Sequence, residues 1–339
     1  MSIGGDVKIG AKTYVTMFKE TTYGTYPVTV GTGAAWLEPI SVSFKTEIKS
    51  EKLETLGNRG FTKRVMLDKT VSGGLEQYLH PQESPLLFAV AMGKGIVSSS
   101  ISGGFLHSLS SGDFDTTPSS LSFNVKKGDL MTFGYTGGRV NSLKLSGKVG
   151  EPVKVSYDFI FKDSTTGVSD LSGVMSLSSV LPYIYTGGVY RYTSTEASLT
   201  STVEEKILGF ELEINNNLKA DADSRQLGQN TIAVLPATKR EVKFKISQRF
   251  DTTTTYDRFT QGTVGAAELI FTGDAISTPV YHLMTVRLPK LYYNSLDTAV
   301  GSASDILKAE INFDVLVDTP NTSTGRDVGI TFQNNIATY

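Results

Sequence analysis

The sequence predicts an all-β protein, and three observations carry that prediction. Glycine occurs 33 times and serine and threonine are abundant throughout, a composition that favours turns and short strands over long helices. Apolar residues recur at every second position in several stretches, as in strands with one dry face. Helical character is confined to one short stretch in each half. The expected architecture is two tandem, similar β-sandwich or β-barrel domains, each with one short helix.

A chain of 339 residues is long enough for two domains that each bury a core. The 32 Lys and Arg against 34 Asp and Glu leave no basic excess with which to grip nucleic acid phosphates. Cysteine is absent, which excludes disulfides, thiol nucleophiles and cysteine metal sites and fits synthesis in a reducing compartment, the cytoplasm. The start of the chain lacks the apolar core of a secretory signal, and no apolar run approaches the roughly 18 residues that would span a bilayer. A soluble product is expected, with no membrane partner.

Taken in order, residues 1–35 are rich in Gly, Thr and Tyr ("ETTYGTYPVTVGTG") with no helical period, and are expected to form an N-terminal arm. The first β domain is placed at 36–165. It opens with "VSFKTEI", in which Val42, Phe44, Thr46 and Ile48 share one face, followed by a charged loop at 49–64. In "TVSGGLEQYL" Val71, Gly73, Leu75, Gln77 and Leu79 alternate with polar or small neighbours. The stretch "PQESPLLFAVAMGKG" has Pro and acids at its start and Gly93 near its end, which suits a helix of two to three turns. Residues 98–120 are rich in Ser and Gly and are expected to form a loop. "SLSFNVKKGDLMTFGYTGGRV" reads as a hairpin turning at Lys127-Gly128-Asp129. Then Val153, Val155, Tyr157, Phe159 and Phe161 alternate unbroken with Lys154, Ser156, Asp158, Ile160 and Lys162, a half-buried strand. Residues 166–205 are irregular and are expected to be a linker region, with the second β domain at 206–318 and a C-terminal arm at 319–339.

The second half echoes the first. Residues 69–88 lie over 240–259 without a gap at an offset of 171, matching Val71 with Val242, Leu75 with Ile246 and Gln77 with Gln248. "VSYDFIF" (155–161) lies over "INFDVLV" (311–317) at an offset of 156, and "FKTEI" over "FELEI" (210–214) in the same order.

These segments carry a resemblance. "FKETTYGTYP", "GGRVNSLKLSGKVGEPVKVSYDFIFKD", "FELEINNNLKADADSRQLGQNTIAVLPATKREVKFKISQRF" and "YDRFTQG" occur in that order, and over residues 13–318 the chain resembles the two-repeat tail tube proteins of long-tailed (siphovirus-like) bacteriophages. The resemblance implies tail-tube β domains that assemble into rings with inner strands joined around a lumen. Two fused domains imply a trimeric, pseudo-hexameric ring, the alternative being a hexamer. Rings would stack into a tube that conducts DNA during genome ejection, with tape measure and tail terminator proteins as further partners and DNA only as transient lumen content. The protein would be a structural component of the virion tail, made in the host bacterial cytoplasm. Near-neutral charge suits a conduit, since a strongly positive wall would hold phosphates.

Nothing in the residues points to an enzyme or a cofactor. His80, His107 and His282 have no metal-ligand spacing. The glycine clusters lack the phosphate-cradling order of G-x-x-x-x-G-K-[ST], and G-x-S-x-G is absent. The candidate sites are instead contacts between subunits. Ile160 and Leu316 occupy matched places on the otherwise polar face of two echoed strands, where an apolar residue would be a liability in a monomer; cover by a loop or the short helix is the alternative. Glu20, Tyr23 and Tyr26 in the arm, and Lys63 and Arg64 in the charged loop, are candidates for contacts between rings. A glycan-binding β-sandwich adhesion or receptor-binding module is the alternative function.

Overall fold

The computed structural model describes residues 10–27, 34–111, 120–128, 130–298, 306–319 and 325–339. Nineteen strands and two α-helices are built from them: β1 (Thr13–Lys19), β2 (Ala34–Leu37), β3 (Pro39–Val42), β4 (Lys45–Leu53), β5 (Lys63–Tyr78), α1 (Ser84–Met92), β6 (Val97–Ile101), β7 (Gly104–Ser110), β8 (Leu121–Lys127), β9 (Met131–Lys148), β10 (Lys154–Phe161), β11 (Asp163–Thr166), β12 (Gly188–Thr193), β13 (Glu204–Glu205), β14 (Ile207–Asn215), β15 (Glu241–Arg249), α2 (Thr254–Thr260), β16 (Gly265–Ser277), β17 (Val280–Asp297), β18 (Lys308–Val315) and β19 (Gly329–Asn334). The expected all-β class, with one short helix per repeat, is what the chain adopts.

The two halves repeat one pairing scheme. In the first, β1 pairs with β8, β8 with β9, β9 with β10 and β11, and β10 with β5, which pairs with β4. In the second, β12 pairs with β16, β16 with β17, β17 with β18 and β19, and β18 with β15, which pairs with β14. All of these pairs are antiparallel. The repeats fuse through β9 and β14, paired from Ser142–Asn215 to Lys148–Gly209, so a central sheet runs β4-β5-β10-β9-β14-β15-β18-β17.

The echo is imperfect by one pleat. The two sequence offsets would set Phe313 opposite Ile246, as Tyr157 is opposite Leu75, yet Phe313 faces Phe244. A slip of two residues keeps every side chain on its own face, so the core tolerates it. That core lines one side of the central sheet. Phe44, Phe123, Tyr135, Phe159 and Phe161 pack mostly edge to face in the first repeat, and Tyr192, Tyr293, Phe244 and Phe313 pack together in the second.

The helices differ in environment. The α1 sequence SPLLFAVAM is apolar on every side and buried throughout, as such a helix must be. Phe88 touches Tyr157 of the first repeat and Phe332 of the second, at 6.1 and 5.5 Å between ring centroids. Asn216 donates to the Ala91 and Val140 carbonyls at 2.9 and 3.0 Å, tying α1 to the junction. In α2, TTYDRFT, only Thr255 is buried, and it accepts from Gln248 at 2.7 Å.

Several segments expected to be irregular are ordered. Residues 13–19 of the expected arm form β1 between β2 and β8, with Val15, Met17 and Phe18 buried. In the expected loop at 98–120, β6 and β7 form a hairpin. The stretch 166–205 contains β12, paired along β16. In the expected C-terminal arm, β19 lies between β17 and β7. Each of these strands is short, and all but β6, whose partner is the adjacent β7, pair with distant sequence, so their cover is invisible in their own pattern. Residues 1–9, 28–33 and 320–324 of the two arms lie outside the described residues.

Candidate assembly surfaces

The expected loop at 49–64 is largely strand. β4 and β5 continue past the body as a two-stranded ribbon, paired as far as Leu53–Lys63. β10 stops at Phe161, opposite Val71, so beyond that point β4 is the one strand paired with β5 among the described residues. Ile48, Phe61, Met66 and Leu56 are exposed, the last at 103%. A bare ribbon of this kind is marginal in water, and exposed apolar side chains gathered on it suit an interaction surface.

The opposite end of the central sheet, where β10 starts and β14 starts, also carries exposed apolar side chains, set among the charged Lys148, Glu151, Arg249 and Lys308. Val149, Ile184, Ile306 and Leu307 are exposed there; Ile184 bridges Pro152 at the β9–β10 turn, and the Leu307 carbonyl accepts from Phe250 at 3.0 Å beyond the end of β15.

The two lateral edges are open. β4 pairs only with β5, and residues 292–297 of β17 pair only with β18 among the described residues. In the first repeat the edge corresponding to that part of β17 belongs to β9, and there it is occupied by β14. An unpaired edge displays free N–H and C=O groups, a template for another chain.

The face of the central sheet away from the core is polar and mixed in sign. Lys144 pairs with Glu211 across β9 and β14 at 2.8 Å, and Lys245 with Glu310 across β15 and β18 at 2.6 Å. Ser142 donates to Asp158 at 2.9 Å, and Asn294 to Asp314 at 2.7 Å. Lys154, Ser156 and Asp158 belong to this face.

The arm candidates are engaged within the chain. Glu20 is only 4% exposed and accepts four hydrogen bonds: from the Ser120 and Ser122 hydroxyls, both at 2.6 Å, and from the Gly137 and Gly24 N–H groups, at 2.7 and 2.8 Å. That internal knot engages both of its carboxylate oxygens within the chain. Tyr23 lies between Arg139 and Lys162, 5.0 and 5.4 Å from its ring, and burial pushes its hydroxyl up to about 12. Tyr26 accepts from Asn124 at 2.9 Å and packs on Phe18. Arg64 donates to Ser50 at 2.8 Å across the ribbon, and Lys63 and Arg64 are both exposed.

Ile160 and Leu316 part company. Ile160 packs against Leu218, Ile232 and Leu235 of the connection between β14 and β15, so a loop of the same chain covers it. Leu316 is 48% exposed, beside exposed Val317. The ribbon's apolar side chains were missed because charge dominates "KSEKLETLGNRGFTKR"; the apolar residue at every third to fifth position there was the available signal.

A family profile described as "Phage tail tube protein" matches residues 10–315. The chain belongs to the phage tail tube protein family. A search of curated proteins found no match. Membership assigns the protein a structural role in the virion tail, where it associates with itself and with other tail proteins, and this family is not an enzyme family. Among the described residues no helix is long and apolar enough to cross a membrane.

Proposed function

We propose that this tail tube protein closes into a ring by edge pairing and that rings stack into the conduit for genome ejection. The observation that carries the reading is the internal joint between β9 and β14. The chain already joins one repeat to the next there, and repeating that joint between copies sets the free edge of β17 against the free edge of β4. Three copies of a two-repeat chain then make a pseudo-hexameric ring with no edge left open. The repeating units have their bodies at 36–165 and 206–318, and each recruits outer strands from beyond those limits, β1 to the first and β12 and β19 to the second.

Stacking uses unlike surfaces: the exposed apolar side chains of one copy's ribbon against those on the rim at the far end of another. A contact between two different patches does not close on itself and so propagates as an open series. The polar face with its paired charges lines the lumen, where alternating sign leaves no continuous positive track for phosphates. Tape measure and tail terminator proteins are the expected partners at the tube's lumen and end, and synthesis takes place in the host cytoplasm.

The absence of native cysteine makes a clean test possible. In a chain carrying both Glu47→Cys and Ser295→Cys, a bismaleimide of about 10 Å reach, which tolerates a two-residue uncertainty in register, is expected to yield covalent dimers and trimers but no larger closed species. Either single variant should give at most dimers. Electron microscopy should show hollow rings or tubes. A persistent monomer that neither cross-links nor forms rings at high concentration would refute the reading and favour the glycan-binding alternative.

A further inference from the structure

The β14–β15 connection, residues 216–240, is the counterpart of the ribbon in the second repeat, because β14 pairs with β15 as β4 pairs with β5. It does not project. It folds on a small apolar centre of its own, Leu218, Ile232 and Leu235 with Tyr23 and Ile160. An antiparallel bridge between Leu218 and Ala237 and a bond from Ser224 Oγ to the Lys219 carbonyl at 2.6 Å close it.

Its far side reaches the root of the ribbon. β10 runs out opposite Val71, which would leave the next outward-facing N–H of β5 unpaired. The Asn230 carbonyl takes the Lys69 N–H at 2.7 Å. The Arg225 guanidinium then spans both segments. It donates to the Asn230 carbonyl at 3.0 Å, to the Lys69 carbonyl at 3.3 Å and to Thr70 Oγ1 at 3.0 Å, with Asp68 at 3.8 Å. On another side Lys69 Nζ binds Asp163 and the Ser164 carbonyl, and Thr46 meets Ser164 at 2.8 Å.

The clamp sits at the weak point of the ribbon. The register of β4 against β5 shifts between Ile48–Lys69 and Ser50–Met66, so β5 carries an extra residue beside Lys69. A bulge bends and twists a ribbon and is where it would hinge. A planar guanidinium with several fixed donors suits a clamp on backbone carbonyls better than an ammonium does.

We infer that residues 216–240 are a strut that fixes the pitch of the β4–β5 ribbon, with Arg225 as the positioning residue. The inference rests on the ribbon's proposed role as the stacking contact, which it deepens: one repeat supplies the projecting element and the other has turned the equivalent connection into its support. Each chain therefore offers one ribbon and one strut at the same end, and a ring of such chains presents two kinds of contact in alternation.

The test is amide hydrogen exchange on the full chain below its assembly concentration, which reads local opening directly. In Arg225→Ala, exchange at Lys69 and over 63–68 is expected to accelerate by about tenfold or more, while β10 and β15 keep their protection. Arg225→Lys should fall between. The critical concentration for tube formation should rise in the same order. Unchanged exchange over 63–70 in Arg225→Ala would overturn the strut, as would equal acceleration in β10 and β15, which would make Arg225 a general stabiliser. A chain with 54–62 replaced by Asn-Gly separates the two ideas: if it still forms tubes, the ribbon's stacking role falls while the exchange result still decides the strut.

Discussion

Replacing Glu83 with glutamine should stabilise the isolated chain and flatten its pH profile. Glu83 sits at the start of α1 without making a capping bond. It is 4% exposed, and the Glu38 backbone is the one hydrogen-bonding group that favours its charged form, too weak to offset burial. A helix N-terminus favours a negative charge by about 0.3–1 kcal/mol, but burial outweighs this. Burial, and then the Glu38 charge, push the Glu83 carboxyl from 4.5 up to about 8. The folded carboxyl thus keeps its proton at neutral pH while the unfolded chain, ionising near 4.5, releases it. Unfolding therefore releases a proton between these values, and stability falls as pH rises from about 4.5 to about 8, then levels off. At pH 7 the loss is about 3 kcal/mol. For a chain of 339 residues that corresponds to a Tm difference of about 4 °C, from about 2.1 cal/mol/K per residue. Calorimetry on dilute, unassembled protein at pH 5, 7 and 8.5 reads it. The gap between Glu83→Gln and the parent should be small at pH 5 and widen to its full value by pH 8.5. His80, whose pKa burial lowers, adds its own slope at lower pH, but it is common to both proteins and cancels in the gap. Parallel profiles, or a gap that narrows as pH rises, would refute the argument.

Three further outcomes are expected. Leu56→Lys and Phe61→Lys on the ribbon should abolish or shorten tubes while changing monomer stability by no more than about 0.5 kcal/mol, because neither side chain is buried; thermal melts beside electron microscopy check both. Ile160→Lys should destabilise the monomer by about 1–3 kcal/mol by opening the small centre under the strut, whereas Leu316→Lys should be neutral in denaturant melts and weaken assembly; unchanged tubes in both would end their candidacy as contacts. Gly73→Ala should cost at least about 2 kcal/mol by chemical denaturation, because Gly73 has a φ of 153° and a Cβ there would meet the Ser43 carbonyl at 2.4 Å.

Strands at 71–79, 153–161, 242–250 and 311–317 were legible because each alternates with its own period, and the helix after His80 because Pro and acids open it and Gly93 closes it. So was the duplication, since matched strands keep matched faces even where their registers differ by two residues. The candidate contacts fared differently. Glu20, Tyr23 and Tyr26 sit in a stretch that looked unsupported, and the groups that engage them, Ser120, Ser122, Gly137, Arg139, Asn124 and Lys162, come from more than about 100 residues away or lack any local signature. The matched pair Ile160 and Leu316 could not be told apart in sequence, because what covers Ile160 belongs to the other repeat.

By itself the sequence determined the all-β class, the repeat and the family, because alternation, turn chemistry and ordered motifs are written along the chain. Only the tertiary structure decided that β9 and β14 join the repeats edge to edge, that β4 and residues 292–297 of β17 each keep one edge without a partner strand among the described residues, and that one interstrand connection projects while its counterpart folds back on the sheet. Those outcomes depend on backbone groups of one strand meeting those of another far away in sequence, and a backbone N–H or C=O looks the same in every residue but proline until its partner is in place.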